Sequence, residues 1–251
     1  MSLSKNKIKY IQSLKDKKHR AEYCTFVAEG KKMVTELLPV MKCQLLLATR
    51  EYLDTFSPGN AEEIIEVSVE DLSKAGFVKT PQQVLGIFYQ PRHNVDNLKI
   101  EDKLSIALDG IQDPGNMGTI VRLADWYGIE NIFCSKDTVD IYNPKTVQAT
   151  MGAIARVKVH YIDLADFLSA NSDFHIYGTL LDGKNIYTET ITPNGIIVMG
   201  NEGNGIRPEI EALLNKKLYI PNYPHGRSTS ESLNVAIATA IICAEFRRRS
   251  V

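Results

Sequence analysis

Apolar and polar positions change period several times before residue 90 and then settle into an alternation of short apolar runs and amphipathic stretches. Gly30 to Leu38 predicts a helix, with Met33, Val34, Leu37 and Leu38 at i, i+1, i+4 and i+5. Leu45–Ala48 and Ile64–Val67 predict short strands, and Ser68 followed by Asp71 suits the start of a helix before Leu72. Val84–Tyr89 is the strongest strand of this half. Leu104–Leu108, Asn131–Cys134, Val157–Ile162, Phe174–Leu181, Ile196–Met199 and Leu218–Ile220 predict further strands. Ile120, Leu123, Ala124 and Tyr127 fall on one helical stripe, and Leu233, Ile237, Ala240, Ile241 and Ala244 on a closing one. Regular strand–helix alternation implies a mostly parallel sheet covered on both faces.

The stretch 90–97 is polar, holds Pro91 and has no period, so it marks a boundary. The expected organisation is a small α/β domain over 1–90, a linker over 91–103 and a second domain over 104–251. The length of 251 residues suits two domains. Apolar content of 44% and charged content of 24% are those of a soluble globular protein. No apolar run reaches the roughly 18–20 residues that span a bilayer, and the first ten residues are polar and basic, without a signal-peptide core. The expectation is a cytoplasmic protein with no membrane partner.

Cys24, Cys43, Cys134 and Cys243 form no close pair and the five histidines are scattered, so neither a zinc site nor a redox motif is supported. Net charge is -1, which gives no global pull toward nucleic acid. Charge is uneven, however. Residues 1–20 hold Lys5, Lys7, Lys9, Lys15, Lys17, Lys18 and Arg20 against Asp16 alone, and the chain closes on Arg247-Arg248-Arg249. These clusters read either as phosphate contacts or as a solvated helix face and tail.

Three segments lie where a predicted strand gives way to a turn or helix, the place where ligands collect in open α/β sheets. Asn116 to Arg122 follows the turn Asp113-Pro114-Gly115, with Asn116 suited to cap the next helix. Arg122 lies about 200° from Ile120 at about 100° per residue, away from the core stripe. A planar guanidinium in that place suits a phosphate. Gly200-Asn201-Glu202-Gly203-Asn204-Gly205 allows tight turns, but it is neither the dinucleotide fingerprint nor a P-loop. In that turn Glu202 suits a helix N-terminus or a neighbouring arginine. Ile220-Pro221 leads through a polar loop to Ser232-Leu233-Asn234. Ser228 to Glu231 reads as a capping box. Leu233 is placed in the core stripe, with Ser232 and Asn234 off it. Ser232 has no histidine or lysine partner nearby in sequence, so a hydrolase triad is rejected. Taken singly, each segment also reads as capping or loop chemistry.

Together, Asn116…Arg122, Gly200…Glu202…Gly205 and Ile220-Pro221…Ser232-Leu233-Asn234 resemble the three signature motifs of the SpoU (TrmH-type) RNA 2′-O-ribose methyltransferases of the knotted SPOUT superfamily. The resemblance covers roughly Leu104 to Arg248. Phe26-Val27-Ala28-Glu29-Gly30 and Gln82-Gln83-Val84-Leu85-Gly86 carry a weaker resemblance to the small substrate-binding domain often attached to these enzymes.

The resemblance implies an α/β fold: a C-terminal parallel-sheet domain with a trefoil knot, preceded by a small α/β substrate-binding domain. It implies S-adenosylmethionine as cofactor, bounded by Met199, Gly200, Gly203, Ile220 and Leu233. Arg122 becomes the central catalytic residue, supported by Asn116, Glu202, Ser232 and Asn234. Guanidinium is effectively always protonated, so Arg122 suits a clamp on phosphate and oxyanion better than a general base. The leaving group is a neutral thioether, so no metal is expected. The implied partners are RNA, ribosomal before transfer RNA, and a second copy of the chain in a homodimer. A non-catalytic RNA-binding or assembly factor on the same fold is the alternative. One departure from the family pattern is a longer loop over 222–230, where Tyr223, His225 and Arg227 suit RNA contact or plain solvation.

Overall fold

The computed structural model describes residues 3–56, 59, 61–95, 98, 100–224 and 232–249. The predicted Ser228–Glu231 cap, His225 and Arg227 lie outside them. The chain divides into two compact units. One comprises the chain to Arg92 together with Asp140–Ala155, and the other comprises His93–Val139 and Arg156 onward.

The first unit holds α1 (Lys5–Ser13), α2 (Lys17–Tyr23), β1 (Thr25–Glu29), α3 (Lys31–Leu37), β2 (Cys43–Ala48), α4 (Arg50–Thr55), β3 (Ala61–Glu66), α5 (Val69–Ala75) and β4 (Val84–Tyr89). Its sheet runs β1-β4-β2-β3, with β4 antiparallel to both neighbours and β2 parallel to β3. The Ser68 hydroxyl accepts from the Asp71 amide, as its spacing predicts. The segment Asp140–Ala155 falls inside the range read from sequence as the second domain, yet it packs with this unit. The Arg20 guanidinium, 2% exposed, grips the Asp140 carboxylate at 2.7 Å, and Tyr142 packs on Phe26 with ring centres 4.9 Å apart. Arg20 is therefore a structural ion-pair partner and no part of a basic arm.

The second unit follows the order β5 (Leu104–Asp109), α6 (Pro114–Trp126), β6 (Asn131–Ser135), β7 (Lys158–Ile162), α8 (Leu164–Ala170), β8 (Ile176–Asn185), β9 (Gly195–Gly200), α9 (Pro208–Glu211), β10 (Lys216–Tyr219) and α10 (Val235–Arg248). α7 (Pro144–Thr150) lies in the segment that joins the first unit. Six strands form one sheet in the order β10-β8-β9-β5-β6-β7, with every neighbouring pair parallel. β5, β6 and most of β9 are buried along their length, as a sheet covered on both faces requires. Ala107, Phe133, Ile176 and Val198 pack with Leu164 and Leu168 of α8 and Ile210 of α9. On the other face, Tyr177 meets Phe246 of α10 edge-on.

The closing helix corrects its predicted stripe. α10 buries Val235, Ala236, Thr239, Ile242, Cys243 and Phe246, while Ile237 and Ala244 are exposed and Ala240 and Ile241 half-buried. Leu233 precedes the helix and is 49% exposed. Both faces of α10 carry apolar residues, so period alone chose between two stripes and took the outer one.

Candidate active site

The site begins with the way α6 starts. Asp113 caps it, its carboxylate accepting from the Asn116 amide at 2.8 Å, and Pro114 opens the first turn with its φ already set. Asn116, expected as the cap, stands inside that turn with its side chain released. Its amide nitrogen donates to Glu202 Oε1 at 2.8 Å, and its carbonyl oxygen accepts from Asn234 Nδ2 at 2.9 Å. Asn234 in turn caps α10, accepting from the amides of Ala236 and Ile237. One residue from each of the three motifs thus joins a single hydrogen-bonded chain. Glu202 meets the first turn of α6 through Asn116 and not through an arginine.

The glycine-rich turn is held from within by Asn201. Asn201 and Gly205 exchange two backbone hydrogen bonds, each 2.9 Å, and the Asn201 carbonyl oxygen accepts from the amides of Gly203 and Asn204. Its side-chain nitrogen donates to Gly110 at the end of β5. Gly205 has φ +70, and a Cβ on Gly200 would run into the Gly205 and Ile206 backbone, so no side chain fits there.

Below the turn lies the Asp109 side chain, 0% exposed. It accepts from the Arg207 amide and from Arg207 Nε at 2.8 and 2.7 Å. Those bonds hold the Arg207 guanidinium yet more firmly protonated. The nearby Asp137 carboxyl sits below its ordinary range because the Ser135 hydroxyl hydrogen-bonds it, with Arg207 adding attraction. Sequence reasoning missed Asn201, Asp109 and Arg207 as site-builders. The Asp109-Gly110 pair at a strand end was the available signal.

A cleft of about 360 Å³ opens beside this turn. Met199, Gly200, Gly203, Ile220 and Leu233, the five expected cofactor residues, all line it, as do Glu202 and Ser232. Leu218, Val235 and Ala238 complete an apolar wall, and backbone groups of the 200–205 turn supply polarity. The Leu233 exposure follows from this position, facing the cleft instead of the core. Ser232 makes no hydrogen bond with a described residue.

Arg122 stands apart. It is exposed, pairs with no described residue and is not in the cleft wall. It lies about 9 Å along α6 from Asn116 and is turned by about 120°. Among the described residues no cluster of histidine, cysteine, aspartate and glutamate is arranged to hold a metal ion.

An apolar, glycine-edged crevice at the carboxyl ends of parallel strands defines an α/β protein built to hold an organic cofactor. Residues 103–244 match the SpoU rRNA methylase family, and residues 5–86 match the MRM3-like substrate binding domain. The chain belongs to the SpoU rRNA methylase family. It is 30% identical to the Bacillus subtilis 23S rRNA (guanosine(2553)-2′-O)-methyltransferase RlmP, an alignment that covers 98% of each chain. The structure of a TrmH-family protein from Porphyromonas gingivalis is 38% identical with a TM-score of 0.88, covering 99% of this chain and 100% of that one. The AdoMet-bound rRNA methyltransferase from Sinorhizobium meliloti is 30% identical with a TM-score of 0.87, covering 100% and 97%.

Proposed function

We propose that this protein transfers the methyl group of S-adenosylmethionine to a ribose 2′-hydroxyl of ribosomal RNA. The observation that carries the reading is the Glu202–Asn116–Asn234 chain at the rim of a cleft walled by Met199, Gly200, Gly203, Ile220 and Leu233. The S. meliloti relative binds AdoMet, and the B. subtilis relative methylates a 2′-oxygen of 23S rRNA. Those names favour rRNA over tRNA.

The cleft suits the cofactor on its own features. Its apolar wall accepts an aromatic base, and the turn around Gly200 admits close backbone approach. S-adenosylmethionine supplies a methyl group activated on a sulfonium centre. Held against Met199, Gly200, Gly203, Ile220 and Leu233, it would present that methyl group to a ribose oxygen, with a neutral thioether as the leaving group and the hydroxyl proton released to solvent. Asn116, Glu202 and Asn234 fix the rim, Ser232 offers a hydroxyl to the substrate, and Arg122 clamps the adjacent phosphate and steadies the developing oxyanion.

The apolar outer face of α10, with Ile237, Ala240, Ile241 and Ala244, supports a homodimer, because a helix apolar on both faces wants cover on both. The first unit serves as the RNA substrate-binding domain and the second as the catalytic domain. A C-terminal trefoil knot belongs to the same proposal, with β10 at the sheet edge and Asn234, at the start of α10, bonded to Asn116 of α6. No described helix is long and apolar enough to cross a membrane, and a cytoplasmic protein fits rRNA as substrate.

The test is transfer of labelled methyl from S-adenosylmethionine to unmodified rRNA and, separately, to tRNA. Label on rRNA alone is expected. Label on tRNA alone moves the substrate class. Cofactor binding without transfer to either RNA supports the non-catalytic alternative.

A further inference from the structure

The first unit holds a cleft of about 820 Å³, bounded by α3, by the chain from Val78 to Gln82 and by the end of α7. Lys31, Lys32, Thr80, Gln82, Gln148 and Met151 line it. Lys79 lies between two lining residues and is exposed. Lys31 and Lys32 are exposed too, and none of the three lysines bonds or pairs with a described residue. Elsewhere in the same unit, Lys7, Lys42 and Lys74 each face a glutamate within 2.7 Å.

The walls are fixed. The Glu29 carboxylate holds the Phe77 amide at 2.8 Å and the Val78 amide at 3.5 Å, and burial raises its carboxyl above the ordinary range. Glu29 is thereby committed to the wall. The opposite wall is anchored by the Arg20–Asp140 pair and by Tyr142 on Phe26. Gly152 lies directly over Glu36, the other carboxylate of the lining. Met151, in the left-handed region at φ 51, presents a side chain 41% exposed.

We infer that this cleft holds an unpaired nucleotide of the RNA substrate, with its base against Met151 and the apolar wall and its flanking phosphates on Lys31, Lys32 and Lys79. The inference rests on the RNA reading of the preceding subsection. Apolar side chains with a cationic rim match a splayed-out nucleotide, whose base is flat and apolar on its faces and whose backbone is anionic. Thr80, Gln82 and Gln148 offer hydrogen bonds to base edges or the 2′-hydroxyl. α7, although it lies between strands of the second unit in sequence, becomes part of RNA reading.

The experiment compares the wild-type chain with Lys31→Ala/Lys32→Ala, Lys79→Ala and Met151→Glu. Filter binding to transcribed, unmodified 23S rRNA and methyl transfer to the same RNA are measured across salt, with thermal melting as the fold control. The double lysine variant is expected to raise Kd and KM at least about tenfold and leave kcat unchanged. It should lower the salt slope by roughly 1.4, at about 0.7 per lost single-strand phosphate contact. Met151→Glu, with all lysines in place, weakens binding in the same direction. Kd and KM within twofold of wild type in the folded variants overturn the inference. Wild-type protein that binds rRNA through these lysines but transfers no methyl keeps the cleft and removes the enzymatic reading. Wild-type protein that binds no RNA removes both.

Discussion

The last turns of α10 and the exposed face of α6 both carry arginine, and they use it in opposite ways. At the end of α10, Arg247 donates to the Tyr127 carbonyl at 2.7 Å, Arg248 and Arg249 share Glu245, and Arg249 also holds the Ile186 and Glu189 carbonyls. Every cation there is already bonded within the protein. On α6, Arg122 has no partner among the described residues. A donor already satisfied inside the protein has little to offer a substrate, whereas an unsatisfied guanidinium keeps its full hydrogen-bonding capacity. In sequence the triple arginine reads either as a phosphate contact or as a solvated tail, and Arg122 as a phosphate clamp. The structure commits the triple arginine to bonds within the protein.

The contrast is broken most severely at Arg122. Arg122→Ala should lower the transfer rate by about 10²–10³, the usual loss for one oxyanion donor, and leave the melting temperature unchanged. Rapid-quench transfer with labelled cofactor checks this. Arg207→Ala should do the reverse. It strips the buried Asp109 of its side-chain partner and should cost about 2–3 kcal/mol of stability in urea unfolding, since bonds to charged groups are worth that much. Asn234→Ala should cost about 1 kcal/mol through the lost α10 cap, and it also removes the hydrogen bond to Asn116. A double-mutant cycle with Asn116→Ala, read in both stability and kcat, separates cap from rim.

The smallest effect belongs to the tail. Arg248→Ala should leave stability near neutral pH close to that of wild type, because its side chain is 66% exposed. Its acid profile is more telling. The Glu245 carboxyl is pushed down from 4.5 to about 2, first by the hydrogen bond from Arg248 and then by Arg249. A lowered carboxyl favours the folded state above the unfolded pKa. That contribution is intact above about pH 4.5 and fades as pH falls toward 2. Glu245→Gln should flatten the stability curve in that window, as measured by denaturation at stepped pH.

Period and turn chemistry made most strands of both sheets legible: Val84–Tyr89 in the first unit and Leu104–Leu108 in the parallel sheet of the second lie within a residue of the observed strands. α10 was legible as a helix but not in orientation, because apolar residues on both faces give period two answers. The segment Asp140–Ala155 was illegible as part of the first unit, since a buried ion pair between residues 20 and 140 leaves no local trace. Within the site, Asn116, Glu202 and Asn234 could be named but not their mutual bonds. Asn116 looks like a cap in sequence because Asp113 and Pro114, the true cap and first-turn residue, also suit a turn. Asn201 and the Asp109–Arg207 pair went unseen because they act on the backbone of a loop.

The most direct measurement is single-turnover methyl transfer to rRNA by Arg122→Ala protein already saturated with S-adenosylmethionine, with cofactor affinity taken from the same preparation by calorimetry. The account predicts cofactor binding within a few-fold of wild type and a transfer step slowed by at least about 10². Transfer at the wild-type rate, or a variant that no longer binds the cofactor, would contradict it.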